Sequence, residues 1–429
     1  MLEVRNKGIQ ELQNKKILIW GFGREGKSTL KFLQQMASTS TFVILDDNEI
    51  KEAGILCLRD ADFDEYDLIF KSPGIVIQDE LFPFEKLTSQ TTLFMGAFHS
   101  QIIAITGTKG KSTTSSLMHH VLKESKKDVL LVGNIGVPCL DVWDSVKEDT
   151  VIVFEISCHQ LEYIEQSAHI AVLLNLYPEH LDHYGTFEKY EQAKRRVYQY
   201  QTKDDFLIIQ KELKPICIQE VMTCSLEEDA DIKPTESGFL VNQKEVILPL
   251  DTKLIGRHNR YNAAIVYAIA QKIGLSEKEF LTAYASFRPL AHRLEMVGVY
   301  NGVTFVDDSI STIPQATIEA LRSLPDVDTV LIGGMDRGID YQPLVEFLDK
   351  SSVNNIILMY ASGRKIALMN SLKKPVTLVT TLKEAVALAK KVTAPGKICL
   401  LSPSAASYGD FKNFEDRGEQ FKELVKSYE

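Results

Sequence analysis

The chain has 429 residues, 45% of them hydrophobic and 25% charged, with a formal net charge of -10. These are globular proportions with room for about three domains, and the acidic balance excludes broad binding to nucleic acid or anionic membranes, which needs a basic surface. The cysteines (Cys57, Cys139, Cys158, Cys217, Cys224, Cys399) lack CxxC spacing, MLEVRNKGIQ at the N-terminus lacks a secretion core, and no apolar run approaches ~18 residues, so a reduced, cytoplasmic protein without a membrane span is expected.

The pattern opens with an apolar strand, Lys16 to Trp20, then Gly21, Gly23 and Gly26 in G-x-G-x-x-G spacing, and a helical segment through Leu30 and Leu33. A second strand, Thr41 to Leu45, ends at Asp46 and Asp47. Such glycines let backbone approach a pyrophosphate at a helix N-terminus, and an acid about twenty residues on suits a ribose hydroxyl. A small Rossmann-like nucleotide-binding domain is predicted over 1–95, with dinucleotide binding as one reading of it. Lys71, Ser72, Pro73 and Gly74 form a turn after the strand Asp67 to Phe70.

From 96 to 287, the strands Ile102 to Thr106, Val129 to Val132, Thr150 to Phe154 and Ile170 to Leu174 alternate with helical segments. That alternation describes a parallel sheet whose carboxyl ends bind ligand. The first strand runs into Gly107, Thr108, Lys109, Gly110, Lys111, Ser112 and Thr113, a phosphate cradle in which backbone N–H groups, a lysine and a magnesium-ligating hydroxyl converge. Ile105 stands where G-x-x-x-x-G-K-[ST] has its first glycine, so the loop is a shorter variant. Later strand ends carry Asn134 within Gly133 to Gly136, then Glu155, Ser157 and Gln160, then Asn175, Glu179, His180 and Asp182. Glu155 reads either as a magnesium ligand or as a carboxylate answering a helix dipole, and spacing does not separate His180 from His183. In the helical segment Phe187 to Gln201, the run Lys194, Arg195, Arg196 reads as a solvated face. The stretch Phe206 to Leu250 reads as strands. Arg257 to Ala263 opens a helix whose amides suit an adenine edge or a helix cap, and the cap is favoured.

The pattern restarts near Arg288 and Pro289, giving a third region, 288–429, with strands Val303 to Val306, Thr329 to Ile332, Ile356 to Met359, Val376 to Val379 and Ile398 to Leu401. This is a second doubly wound α/β domain. Its strand ends carry Asp307, Asp308 and Ser309, then Gly333, Gly334, Asp336 and Arg337, then Ser402, Ser404 and Ser407, which point to a shared pocket.

Together these strings resemble the Mur ligases of peptidoglycan synthesis, in particular the branch that adds glutamate. The carriers are GTKGKSTT at Gly107, GNIG at Gly133, EISCHQLE at Glu155, NLYPEHLD at Asn175, YEQAKRR at Tyr190, GRHNRYNA at Gly256, AHRLE at Ala291 and SAASYGDFKNFEDRG at Ser404. The resemblance implies three α/β domains. The first, Rossmann-like, would hold the UDP substrate through Gly21, Gly23, Ser72, Pro73 and Gly74, in place of NAD. The central P-loop domain would bind ATP through Gly107 to Thr113, and the C-terminal Rossmann-like domain would close over both and bring in the amino acid. ATP would phosphorylate the carboxylate of UDP-N-acetylmuramoyl-L-alanine, and the glutamate amine would displace phosphate to leave an amide.

Resemblance also assigns roles. Lys111, Glu155, His180 and Lys194 would be catalytic. Ser112 or Thr113 with Glu155 would hold one magnesium ion, and His180 a second. Asn134, Ser157, Gln160 and His180 would position the muramoyl-alanine portion. Asn262 would meet adenine, with Arg293 and Asp308 reaching ATP from the third domain. Thr312, Arg337, Ser407 and Phe414 would form the glutamate pocket. Lys194 matches a lysine that is carbamylated in the family, its product anion able to bridge magnesium. Only a neutral amine reacts with CO₂, so a lysine pKa of about 10.4 must be lowered by burial or by cations such as Arg195 and Arg196. A monomer is expected. The family usually reads DSKAT where this chain has Asp308, Ser309, Ile310, Ser311 and Thr312, so a lysine is missing from the pocket. That string is similar to a branch using L-glutamate, whereas FKNF at Phe411 is similar to the D-glutamate enzymes, which is the favoured reading. A P-loop kinase or ATPase is the alternative outside the family.

Overall fold

The computed structural model describes residues 2–52, 54–78, 81–249, 254, 256–324, 326–369 and 371–427. Met1, Leu250 and Glu429, which bound expected segments, lie outside the described residues. The chain divides into two compact units, Met1–Pro249 with Tyr261–Ala285, and Leu250–Arg260 with Ser286–Glu429.

The first unit contains two sheets. A five-stranded parallel sheet runs in the order Leu56–Leu58, Thr41–Leu45, Lys16–Trp20, Leu68–Lys71, Leu87–Thr88. Ile17, Leu18 and Ile19 are all buried, as a strand covered on both faces requires. A Cβ on Gly26 would come within 2.1 Å of the Gly21 carbonyl oxygen, so glycine there lets the helix Arg24–Met36 pack against the strand end. The Asp46 carboxylate accepts the Phe22 N–H at 2.7 Å and so ties the end of the strand Thr41–Leu45 to the glycine loop.

The second sheet has nine strands. Its parallel centre is ordered Glu220–Cys224, Phe206–Gln210, Ile170–Leu173, Ile102–Thr106, Val151–Glu155, Val129–Gly133. The hairpin Gly238–Val241 and Lys244–Ile247 extends it through Ile232–Pro234. Val151–Glu155 lies one residue later than expected, which makes Glu155 the last residue of a buried strand. The helix Leu2–Gln10 was not anticipated, having little apolar periodicity to announce it. Among the described residues no helix is long and apolar enough to cross a membrane.

The second unit holds a six-stranded sheet in the order Glu295–Tyr300, Val303–Asp307, Ile398–Leu401, Val327–Gly333, Asn355–Met359, Val376–Val379. The first strand is an antiparallel edge and the other five are parallel. Its carboxyl ends gather the polar residues singled out in the sequence.

Candidate active site

The strand Ile102–Thr106 is wholly buried, and the chain then turns through Gly107 and Gly110, at φ +147° and +91°, into the helix Lys111–Glu124. Side chains are barred at both turns: a Cβ on Gly107 would lie 2.9 Å from Leu174 Cβ, and one on Gly110 would lie 2.9 Å from Asn262 Oδ1. Asn175 ties the loop in shape. Its Oδ1 accepts the Lys109 N–H at 2.8 Å, its carbonyl accepts the Thr108 N–H at 2.9 Å, and its Nδ2 donates to the Lys109 carbonyl. Ser112 and Thr113 follow in the first helical turn, where unpaired N–H groups favour an anion.

Charge converges on this loop. Lys111 Nζ donates to the Gly107 and Thr108 carbonyls at 2.9 and 3.0 Å, and Lys194 Nζ donates to the same Gly107 carbonyl at 2.9 Å. Lys194 is 1% exposed, so the expected solvated face is corrected. Successive residues of the helix Phe187–Gln199 point about 100° apart, and so Arg195 turns to Glu191 while Arg196 donates to the Ile164 carbonyl. Burial, then the neighbouring Lys111 charge, lowers Lys194 to about 7. Lys111, not Arg195 or Arg196, is the cation that acts on it. Burial also lowers Lys111, against the attraction of Glu155 and Glu179.

Glu155 is 1% exposed, and its Oε1 accepts from Asn134 Nδ2 at 3.2 Å while Oε2 has no hydrogen-bond partner. A buried carboxylate oxygen left in that state is costly without a cation. Burial opposes charge on Glu179, yet Lys109, 3.0 Å away, and Lys111 hold its carboxyl down at about 2. His180 sits at φ +57° at the start of the short helix Leu181–Tyr184. Burial, reinforced by His159, Lys194 and Lys111, lowers it to about 4 against the pull of Glu179, leaving a neutral imidazole near pH 7. His183 instead lies 3.0 Å from Glu162, which separates the two histidines that spacing left equivalent.

Lys111, Glu179, His180 and Lys194 border a cavity between the two sheets of the first unit. Lys111, Asn134, His180 and Lys194 line it from one side and Glu25 and Pro73 from the other. Ser157 and Gln160 line it too while forming a capping box, and Gln160 Nε2 donates to Glu25 at 2.7 Å. A second hollow beside Pro73 is bordered by Gly23, Arg24, Ser72 and Asn134, and Ser72 Oγ donates to the Gly21 carbonyl. Gly74 follows as an exposed residue of the same turn. Sequence reasoning missed Glu25, Cys158, His159 and Tyr190 as lining residues; the last three lie inside strings already quoted, but no spacing marks them. Asn262 is corrected as well. It lies inside the helix Arg257–Lys272, buried and facing Gly110, and does not cap it.

In the second unit, Asp308 is buried and accepts from Ser311 Oγ, Ser402 Oγ and the Leu294 N–H; burial raises it to about 7. Arg293 lies between two residues at positive φ, His292 and Leu294. Ser407 is buried, Thr312 half-buried, and Phe414 opens the helix Phe414–Lys426, its carbonyl accepting from Ser309 Oγ at 2.8 Å. Ser404 stands at φ +56° with a buried hydroxyl lacking a partner. Arg337 is exposed on the loop after Val327–Gly333.

Residues 105–270 match the Mur ligase middle domain. A UDP-N-acetylmuramoylalanine–D-glutamate ligase of Oenococcus oeni is 32% identical over 97% of this chain and 98% of its own length, and one of Aquifex aeolicus is 34% identical over 96% and 98%. A UDP-N-acetylmuramoyl-L-alanine–L-glutamate ligase of Salinispora tropica is 31% identical over 97% and 99%. Among solved structures, MurF from Acinetobacter baumannii shares the fold at 16% identity, with a TM-score of 0.65 over 97% of this chain and 98% of that one.

Proposed function

The chain belongs to the Mur ligase family, and from that premise we propose that it joins D-glutamate to UDP-N-acetylmuramoyl-L-alanine, forming ADP and phosphate through an acyl phosphate, in peptidoglycan precursor synthesis. The observation that carries this reading is the convergence of Lys111, Lys194, Glu155 and His180 around one phosphate loop. Such a loop with its lysine and metal ligands suits phosphoryl transfer in general, and the near-full-length relatives named as glutamate ligases support a carboxylate as the acceptor.

We assign the UDP substrate to a domain over 1–95, with Gly21, Gly23, Ser72, Pro73 and Gly74, ATP to 96–287, and glutamate to 288–429. Lys111 and the loop N–H groups would hold the transferring phosphoryl group, where positioning and charge do most of the work. Asn134, Ser157, Gln160 and His180 would orient the muramoyl-alanine carboxylate, with Asn262 at adenine and Arg293 and Asp308 at ATP. Thr312, Arg337, Ser407 and Phe414 would receive glutamate. Magnesium fits the residues present: Glu155 Oε2 is a buried carboxylate oxygen without a hydrogen-bond partner, Ser112 and Thr113 offer hydroxyls, and His180 is neutral. It would supply charge neutralisation at the phosphoryl oxygens. A Lys194 lowered to about 7 has a substantial neutral fraction at physiological pH, as carbamylation requires. The carbamate would replace a clash with Lys111 by attraction and add a metal ligand. The protein is assigned to the cytoplasm, as a monomer.

The missing lysine at Ile310 and the Salinispora relative favour a second reading, L-glutamate as co-substrate. With ATP, magnesium and UDP-N-acetylmuramoyl-L-alanine supplied, phosphate release is expected with D-glutamate and not with L-glutamate. The reverse preference establishes the second reading; no release with either overturns the substrate assignment.

A further inference from the structure

Arg293 is held in an unusual setting. Both its neighbours, His292 at φ +61° and Leu294 at φ +48°, occupy the left-handed region that L-residues adopt at a cost, so the turn persists only because its surroundings impose it. Two consecutive strand-end carboxylates do so. His292 Nδ1 lies 2.7 Å from Asp307 Oδ2, both groups buried, and the Leu294 N–H donates to Asp308 Oδ1 at 3.3 Å. The Glu295 carboxylate accepts the His292 N–H at 2.8 Å, and the His292 carbonyl accepts the Ile310 N–H.

Behind this clamp stands the helix Phe414–Lys426. A Cβ on Gly418 would lie 2.1 Å from His292 Nδ1 and 2.7 Å from Asp307 Oδ2, so only glycine leaves room for the pair. Gly418 is helical and its φ is not positive, which makes close approach, not backbone freedom, the reason for glycine. The Phe414 ring meets the His292 ring edge-on at 6.1 Å, and the buried Arg417 donates to Ser309 Oγ and to the Ser309 and Ala405 carbonyls. One rigid contact surface therefore backs the Arg293 turn.

We infer that His292, Asp307 and Gly418 are positioning residues that set the Arg293 guanidinium for ATP, Gly418 acting only by leaving space for the His292–Asp307 pair. This rests on the ATP role proposed for Arg293. The test is a double-mutant cycle with Gly418→Ala, Arg293→Ala and the double variant, reading the KM for ATP and kcat separately. Gly418→Ala is expected to raise the KM for ATP about tenfold in the parent, and by less than about twofold when Arg293 is already alanine. Asp307→Asn, a change of no added volume, should show the same dependence on Arg293 and guards against a Gly418→Ala protein that folds poorly. Losses that simply multiply in both cycles overturn the inference and leave the ATP role of Arg293 standing. An Arg293→Ala enzyme with an unchanged KM for ATP overturns that role and the inference together.

Discussion

The phosphate loop and the Asp307–Asp308 strand end are both buried and both charged, but their charges are satisfied differently. At the loop, Glu155 Oε2 has no partner, and two ammonium groups crowd one carbonyl of Gly107. At the strand end, Asp308 is met by two hydroxyls and an amide, and Asp307 by an imidazole and the Ser309 N–H. A buried carboxylate oxygen left short beside a phosphate loop is placed to meet a ligand or ion, whereas mutually satisfied groups define a shape. The difference teaches that the loop of the first unit is built with polar groups left short of partners, whereas the strand end of the second is built as a mutually satisfied network.

Lys111→Ala should have the largest effect, a fall in kcat of about 10³-fold with the fold intact, because the three Asn175 hydrogen bonds to the loop remain when those of Lys111 are lost. An enzyme of near-parental turnover would remove the loop from the chemistry. Lys194→Ala is expected to lower turnover about 10²-fold, and removing CO₂ and bicarbonate should lower the parent's turnover while leaving the alanine variant unmoved; equal response of both would sink the carbamate.

Next in size comes the pH dependence of stability, measured by denaturant unfolding without CO₂. Lys194 is lowered in the fold, so the penalty for burying its charge is complete below about 7 and is relieved as pH rises toward the ordinary lysine range. Asp308 is raised, so the cost of its buried charge is absent at the ordinary carboxylate pKa and grows as pH rises to about 7. Lys194→Met should flatten the rise above pH 7, and Asp308→Asn the fall below it. If neither slope changes, the two sites do not differ in the way their contacts indicate. The smallest effect is expected from Ser404→Ala. Its unpartnered hydroxyl places it with Glu155, so the KM for glutamate should rise about threefold with no loss of stability; a destabilised enzyme with unchanged KM would assign Ser404 to the scaffold.

Much of this was legible beforehand. Apolar strands ending in glycine or acid marked the parallel parts of three sheets, since a strand covered on both faces must be apolar throughout and its ligand end must not be, while the antiparallel pairing of the edge strands went unread. Glu155, Lys111 and His180 stood at such ends. Lys194 was misleading when read from its neighbours, because a run of three cations looks solvated until a helix is rotated against a sheet. The cap reading of Asn262 fails although the helix start at Arg257 was legible, because the sixth residue of a helix lies beyond its cap and the direction it faces is set by packing. The clamp on Arg293 was invisible, as Asp307 and Gly418 meet across more than a hundred residues of chain.

By itself, the sequence determined the order of strands and loops, the shortened phosphate loop at Gly107 to Thr113, and the family, because these depend on local periodicity and on residues adjacent in the chain. Only tertiary structure decided that Lys194 lies beside Lys111, that His180 and not His183 faces the loop, and that Glu155 keeps an oxygen without a partner. Burial and proximity set those charges, and both are properties of packing between segments far apart in sequence.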